Sequence, residues 1–307
     1  FRLIGTSAHR LDTPDKVVGK TMYGIDVRLP GMKVATVAAC PVIGGRLGSV
    51  DDTAAKAVNG VRQIVRLDDA VAVVADHMGA ALKGLEALKI VWDEGPNADL
   101  STADLVDALA TASQGPAVVD GKEQGDVAAA LAAAAKRVEA VYQMPFLAHT
   151  TMEPMNCTVH VRPDGCDVWT GSQVVSRAQA TAAEVTGLPP DEVAVHNHYL
   201  GGGFGRRLEV DYVTQAVRIG REVDGPVKVV WSRPEDIQHD IYRPYYYDRL
   251  AGGLDATGRL VAFHHRVTGS SIIARWLPAG FRDGLDSDAV EGAAGPYDFD
   301  NRLVEYV

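Results

Sequence analysis

Apolar and β-branched residues recur along this chain in short runs separated by glycine, asparagine, aspartate and proline. Such runs predict strands, whereas apolar residues spaced three and four apart predict amphipathic helices. The predicted strands are 33–40, 61–67, 71–75, 88–92, 138–143, 157–161, 167–170, 193–196, 227–232 and 301–307, with a hairpin of 245–252 and 259–268 around a turn at 255–258. The predicted helices are 77–88, 102–113, 126–136, 172–186 and 208–223. The pattern therefore predicts an α/β fold of mixed (α+β) character.

The order of these elements divides the chain into three consecutive segments. At 307 residues, the chain is long enough for about two domains. Residues 1–96 have the pattern of a small α/β domain that ends near Gly95 and Pro96. Residues 97–136 contain two alanine-rich helical segments joined by a loop at 115–125, and we interpret them as a helical connector. Residues 137–307 form the second predicted domain.

Charge and hydropathy exclude two classes of protein. Aspartate and glutamate number 40 against 30 lysines and arginines, which gives a formal net charge of −10. A general nucleic-acid binder has the opposite balance, so no nucleic-acid partner is expected. No apolar run approaches the roughly 18–20 residues that cross a bilayer, so no direct membrane span is expected.

The cysteines do not form a recognisable motif. Cys40, Cys157 and Cys166 are widely separated, and none belongs to a C-x-x-C pair. They do not provide the set of thiolates that an iron–sulfur cluster needs. We therefore interpret them as small buried residues.

A glycine-rich segment follows the predicted strand 193–196. It reads, in order, Gly201-Gly202-Gly203-Phe204-Gly205-Arg206-Arg207. The glycines leave main-chain N–H groups open to a ligand, and a helix beginning near Leu208 directs the positive end of its dipole toward them. Such an arrangement suits a phosphate or another anionic oxygen. A simple tight turn is the alternative, and the spacing fits neither the P-loop nor G-x-G-x-x-G.

Further motifs lie on both sides of this segment. Upstream are Ala148-His149-Thr150-Thr151-Met152-Glu153-Pro154 and Trp169-Thr170-Gly171-Ser172-Gln173, and downstream is Val230-Trp231-Ser232-Arg233-Pro234-Glu235-Asp236. This ordered series resembles the large subunit of molybdenum hydroxylases, the xanthine dehydrogenase and aldehyde oxidase family. The glycine segment is most similar to the isoquinoline 1-oxidoreductase β-subunit branch. Residues 10–16, 23–31 and 91–95 resemble the hammerhead-type α/β domain of that family.

The resemblance implies a cofactor and its binding residues. The cofactor would be molybdopterin with molybdenum, in its cytosine dinucleotide form. The residues that match the family's cofactor-binding positions are Gln173, Gly202, Gly203, Phe204, Gly205 and Arg206. Residues 1–96 would be the hammerhead-type domain, and residues 137–307 would be part of the molybdopterin-binding domain.

The resemblance also implies a reaction and partners. An N-heteroaromatic compound or an aldehyde would be oxidised with oxygen derived from water. Electrons would pass to a small [2Fe–2S] subunit, with a cytochrome c subunit as a further partner. A periplasmic or cell-envelope location is common in this branch and is expected here.

Several of these residues have more than one interpretation. Phe204 either packs on an aromatic substrate or fills the core. Arg206 and Arg207 bind the cofactor pyrophosphate or a neighbouring subunit, or form a solvated pair. Glu153 and His149 are interpreted as structural. Of the remaining histidines, His196 and His198 suggest a metal pair without a third ligand, whereas His264 and His265 are interpreted as surface or packing residues.

Two features depart from the family pattern. Leu208 occupies the position of a substrate-binding acidic residue in purine-oxidising members, so a purine substrate is disfavoured. The family's catalytic glutamate lies in a Gly-x-Gly-Glu motif, which this sequence does not contain. The catalytic base is therefore unknown, and we expect this chain to be an internal segment that is inactive alone. A non-enzymatic α/β binding or assembly module and a dinucleotide-binding domain are the alternatives.

Overall fold

A computed structural model describes residues 1–120 and 123–307. These residues group into two compact units. The first unit comprises Phe1–Ala98 and Ala148–Ile241, and the second comprises Asp99–Leu147 and Tyr242–Val307. The units interleave along the chain, and this spatial grouping does not test the predicted sequence segments 1–96, 97–136 and 137–307. Part of the predicted loop 115–125 lies outside the described residues.

The strands and helices alternate along the chain, which confirms the predicted mixed α/β class. In chain order, the strands are β1 (Lys33–Ala39), β2 (Arg46–Asp51), β3 (Val61–Arg66), β4 (Ala70–Ala75), β5 (Lys89–Asp93), β6 (Val118–Val119), β7 (Lys136–Met144), β8 (Asn156–Arg162), β9 (Gly165–Thr170), β10 (Val193–Asn197), β11 (Val227–Val230), β12 (Tyr246–Leu254), β13 (Leu260–Val267) and β14 (Arg302–Tyr306). The helices are α1 (Thr13–Val17), α2 (Thr53–Lys56), α3 (Met78–Glu86), α4 (Thr102–Ala112), α5 (Val127–Ala133), α6 (Val175–Thr186), α7 (Asp211–Gly220), α8 (Arg233–Gln238), α9 (Ile272–Trp276) and α10 (Ser287–Val290).

The first unit is built on a seven-stranded sheet in the order β10-β9-β8-β11-β1-β4-β3. Strand β1 pairs in parallel with β11 and antiparallel with β4. Every residue of β4 is buried, as its continuous apolar run predicts. Helix α7 packs against β8 and α6, and its apolar residues Val213, Ala216 and Val217 are buried at the helical spacing predicted from the sequence.

Several predicted element boundaries in the first unit are wrong. The helix predicted to begin near Leu208 begins at Asp211, after a 3₁₀ turn at Arg206–Leu208. The helix predicted from Ser172 begins at Val175, although the Ser172 hydroxyl does accept a hydrogen bond from the Val174 N–H. Its predicted end is confirmed, because Gly187 closes it with φ 78°.

The second unit contains a five-stranded sheet in the order β6-β14-β13-β12-β7. Strands β12 and β13 form the predicted hairpin, and the turn between them is held by Asp255, whose Oδ1 accepts from the N–H groups of Thr257 and Arg259. Strand β14, predicted as 301–307, pairs in parallel with β13. Across the described ranges of both units, no helix combines the length and the apolarity that a bilayer crossing requires.

The three cysteines are buried and free, as predicted. Burial raises the pKa of the Cys166 thiol to about 11. The Cys157 pKa is also raised, chiefly by complete burial. Neutral thiols in these positions are packing residues of the first sheet.

Candidate functional site

The glycine loop, residues 201–205, follows β10 in the first unit and has an unusual backbone. Gly202 and Gly205 have φ values of 107° and 103°, which glycine adopts without steric cost. Phe204 also has a positive φ, 55°, although it carries a side chain. A non-glycine residue held there costs on the order of 1–3 kcal/mol, and such residues concentrate at functional sites. The loop therefore has a conformation that its surroundings must enforce.

Gln173 lies directly against this loop. Its side-chain Oε1 accepts a hydrogen bond from the Gly205 N–H at 3.3 Å, and its main-chain N–H donates to the Arg207 carbonyl at 3.0 Å. A Cβ added to Gly203 would lie 2.7 Å from the same Oε1, so a larger residue here would have to displace this amide. Within the described ranges, the N–H groups of Gly202 and Gly203 have no protein acceptor. The structure thus brings together the two places that the sequence predicts to meet.

The buried side chain of Arg207 is hydrogen-bonded to the glycine loop. Its side chain is 0% exposed, and Nη2 lies 2.9 Å from Glu153 Oε2. Its Nε donates to the Gly202 carbonyl at 3.0 Å, and Nη1 donates to the Gly171 carbonyl at 3.3 Å. The alternative of a solvated arginine pair is therefore wrong, because the guanidinium is buried and bonded to protein acceptors.

Glu153 is the partner of Arg207 and is fully engaged. Its Oε2 also accepts from the Gly201 N–H at 2.8 Å, and its Oε1 accepts from the Ile25 N–H at 3.0 Å and from Asn156 Nδ2 at 2.9 Å. All of these donors are protein groups, so both carboxylate oxygens of Glu153 are occupied within the fold. The interpretation of Glu153 as structural is confirmed.

Arg206 is buried on the opposite side of the loop's end. Its two terminal nitrogens bond Asp211 at 2.7 and 2.8 Å, and its Nε lies 3.0 Å from Asp240 Oδ1. Asp240 in turn accepts from the N–H and Nδ1 of His149. Burial alone would raise the pKa of Asp240, but His149 and Arg206 hold it below its ordinary value. The role of Arg206 as a direct cofactor ligand stays a prediction, and its guanidinium already forms ion pairs with two carboxylates.

The other residues singled out in the sequence have different outcomes. Phe204 is 66% exposed, so the interpretation that it fills the core is wrong. His196 bonds Asp167 at 2.8 Å and stacks on Trp169. Over residues 1–120 and 123–307, no group of three or more histidine, cysteine, aspartate or glutamate side chains is arranged to hold a metal ion.

Sequence reasoning missed three residues that shape this site. Asp211 and Asp240 form ion pairs with Arg206, and the hydroxyl of Tyr212, which lies on α7, donates to the Gly171 carbonyl at 3.2 Å. Asp211 follows Arg206 by only five positions, so a search for nearby carboxylates would find it. Asp240 lies 91 positions from His149, and nothing local in the sequence indicates that contact.

The residues present fit a pterin-type cofactor. The cradle that a Cβ at Gly203 would fill and the two unbonded N–H groups offer close approach and main-chain donors to a ligand rich in oxygen and nitrogen atoms. The exposed ring of Phe204 belongs to the same loop.

Comparison with known proteins gives a consistent result. The model of the molybdopterin cofactor-binding domain matches residues 111–306. The β-subunit of isoquinoline 1-oxidoreductase from Brevundimonas diminuta is 32% identical, over 98% of this chain and 40% of its own length. The membrane-bound aldehyde dehydrogenase (pyrroloquinoline-quinone) of Gluconacetobacter polyoxogenes is 29% identical, over 97% of this chain and 39% of its own length. The chain thus spans about 40% of the length of these relatives.

A solved structure supports the same fold. The aldehyde oxidoreductase from Desulfovibrio gigas superposes with a TM-score of 0.74 at 17% identity, covering 99% of this chain and 38% of that one. The family match spans well over half of the chain and includes both Gln173 and the glycine loop. The chain therefore belongs to the molybdopterin cofactor-binding domain family, which confirms the resemblance to molybdenum hydroxylases.

Proposed function

We propose that this chain is part of the catalytic subunit of a molybdenum-dependent oxidoreductase that oxidises an N-heteroaromatic compound or an aldehyde with oxygen derived from water. The family match and the names of the relatives support this assignment. Because the chain spans less than half of those relatives, the activity belongs to the intact protein and its partner subunits.

One observation supports the proposal most directly: the side-chain amide of Gln173 lies against the main chain of the glycine loop, next to Gly203 and Gly205. Molybdopterin, when bound, supplies the redox centre that accepts electrons from the substrate. The protein's own part is to hold and orient that group. The N–H groups of Gly202 and Gly203 are positioned to donate to it, and the Arg207–Glu153 pair fixes the loop so that these donors need no reorganisation.

Finer features follow from the family branch that the motifs resemble. We infer the cytosine dinucleotide form of the cofactor, a small [2Fe–2S] subunit as electron acceptor, a cytochrome c subunit as a further partner, and a periplasmic or cell-envelope location. We also infer that residues 1–96 are a hammerhead-type domain. The relatedness to a protein named as a β-subunit supports a complex with other chains.

Replacing Gly203 with alanine is the sharpest test of this site. The new Cβ would lie 2.7 Å from Gln173 Oε1 and displace this flexible amide without touching the buried ion pairs. We expect cofactor affinity to fall about tenfold, the equivalent of one lost charge-assisted hydrogen bond. The measurement is molybdenum and pterin content of the purified intact protein, together with its thermal unfolding midpoint.

The matched control is Gly292→Ala, because a Cβ there meets no atom within 4 Å. It should leave molybdenum and pterin content unchanged. Full cofactor content in Gly203→Ala would contradict the assignment of this face. Wild-type protein that contains neither molybdenum nor a fluorescent oxidised pterin would instead support the non-enzymatic binding module. Because the name of one relative includes pyrroloquinoline-quinone, the same preparation is also assayed for that compound.

A further inference from the structure

One face of the second unit's sheet lines a cavity of ≈ 490 Å³. Polar side chains from three adjacent strands line it: Arg137 and Glu139 from β7, Arg249 from β12, and His264 and Arg266 from β13. Ser113, just past the end of α4, also lines it. This volume lies within the range of about 300–1,000 Å³ found for small-molecule sites. We call this set of residues the arginine face.

Arg266 and His264 share one carboxylate, that of Glu305. Arg266 Nε donates to Glu305 Oε2 at 2.9 Å, and His264 Nε2 lies 2.7 Å from the same oxygen. Burial favours the neutral acid, but Arg266 and His264 hold the pKa of Glu305 below its ordinary value, so it remains ionised at neutral pH. Arg266 Nη1 also donates to the Ser113 and Gly115 carbonyls at 3.0 and 3.1 Å. Arg266 is therefore fixed in place and neutralised.

Arg249 has no such counter-charge. It stands directly opposite Arg266 in the β12–β13 register, and like charges at directly opposed positions destabilise a sheet. Its side-chain partner in the described part of the chain is the Ser113 hydroxyl at 3.4 Å, with no carboxylate within ion-pair distance. The remaining acidic group of the face, Glu139, is paired with Arg137. The arginine face therefore carries one uncompensated positive charge.

We propose that this cavity binds the oxyanion group of a small metabolite, a phosphate or a carboxylate, with Arg249 as its principal ligand. The guanidinium offers a planar fork of donors that matches either group in a bidentate manner. Ser113 orients Arg249, and Arg266, whose charge is balanced by Glu305, lines the opposed position. A bound oxyanion would provide the counter-charge that Arg249 lacks. This site shares no residue with the glycine loop, which belongs to the first unit.

The test is a titration of the intact protein with inorganic phosphate or sodium acetate, with sodium chloride at matched ionic strength as reference. Because a ligand that binds the folded state raises the unfolding midpoint, we expect phosphate or acetate to raise it above the chloride value. The salt with the larger effect identifies the preferred oxyanion. Arg249→Met should weaken binding by about tenfold or more, since a hydrogen bond to a charged group is lost.

Two variants separate a built site from a general charge effect. Arg259→Met removes an exposed arginine of the same unit that pairs with Asp300 at 2.9 Å, and it should leave the affinity unchanged. Arg249→Lys keeps the charge but loses the planar fork, and it should bind more weakly than wild type. Equal affinity of wild type and Arg249→Met or Arg249→Lys, or no effect of phosphate and acetate beyond that of chloride, overturns the proposal.

Discussion

Glu153→Ala is expected to lower the free energy of unfolding by about 3–5 kcal/mol, because it leaves the buried Arg207 guanidinium without its counter-ion. The Arg207 side chain is 0% exposed and cannot turn toward water. The substitution also removes the carboxylate acceptor for the N–H groups of Gly201 and Ile25. Urea unfolding of the intact protein at neutral pH measures the change.

The control for this prediction is Asp68→Ala. Asp68 is 91% exposed and pairs with Arg218 at 3.3 Å, so its removal should cost less than about 1 kcal/mol. In a double-mutant cycle, Glu153→Leu and Arg207→Met together should cost less than the sum of the single changes, since no buried charge is left unpaired. If Glu153→Ala lowers the free energy of unfolding no more than Asp68→Ala does, the buried Glu153–Arg207 ion pair contributes little to stability.

Arg206→Met is expected to cost about 3 kcal/mol near neutral pH, because it removes a cation from the buried Asp240 carboxylate, whose side chain is 2% exposed. Burial raises the pKa of Asp240, and His149 and Arg206 lower it to a net value below the ordinary one. A carboxyl with a lowered folded-state pKa stabilises the protein fully above its unfolded pKa of about 3.9, and this stabilisation is lost as pH falls through the folded-state pKa.

The pH dependence follows from that sign. Without Arg206 the folded-state pKa of Asp240 rises, so the variant loses less stability than wild type as the pH falls below the unfolded-state pKa of about 3.9. The difference between the two should therefore be largest near neutral pH and shrink below about pH 4. Urea unfolding across this range measures it, with Arg218→Met, which removes an arginine paired to exposed Asp68 and Asp69, as control. A difference that is constant with pH would exclude Asp240 as the responsible group.

The sequence predicts elements well where burial follows a simple period. Strand β4 is apolar throughout and is buried throughout, and the hairpin β12–β13 has a turn whose aspartate caps its own backbone. Strand β2 was not predicted because four of its six residues are exposed and only two, Leu47 and Val50, have large apolar side chains, although it does pair with β5. Local patterns therefore locate the buried strands but not the exposed strand β2.

The sequence predicts which residues form the candidate site, but not the ion pairs and hydrogen bonds that hold them in place. The resemblance places Gln173 and the glycine loop at one site, and the structure places them in contact. The bonds that shape the loop span 54 positions from Glu153 to Arg207 and 91 positions from His149 to Asp240. Both arginines are buried, and the helix starts at Asp211, after a 3₁₀ turn, rather than near Leu208. No local pattern records contacts of that range.

The parallel pairing of β1 with β11 has a consequence for biosynthesis. Residues 33–35 pair with residues 227–229 in the middle of the first sheet. The neighbour on the other side of β1, β4, is made early, but a ribosome must add nearly two hundred residues after β1 before β11 exists. At about 5–20 residues per second, this takes on the order of ten seconds or more. Throughout that interval β1 has an unpaired edge, the kind of surface that chaperones shield and that invites aggregation. Nascent chains arrested before residue 227 should be cut by protease within β1, and chains arrested well beyond residue 241 should resist.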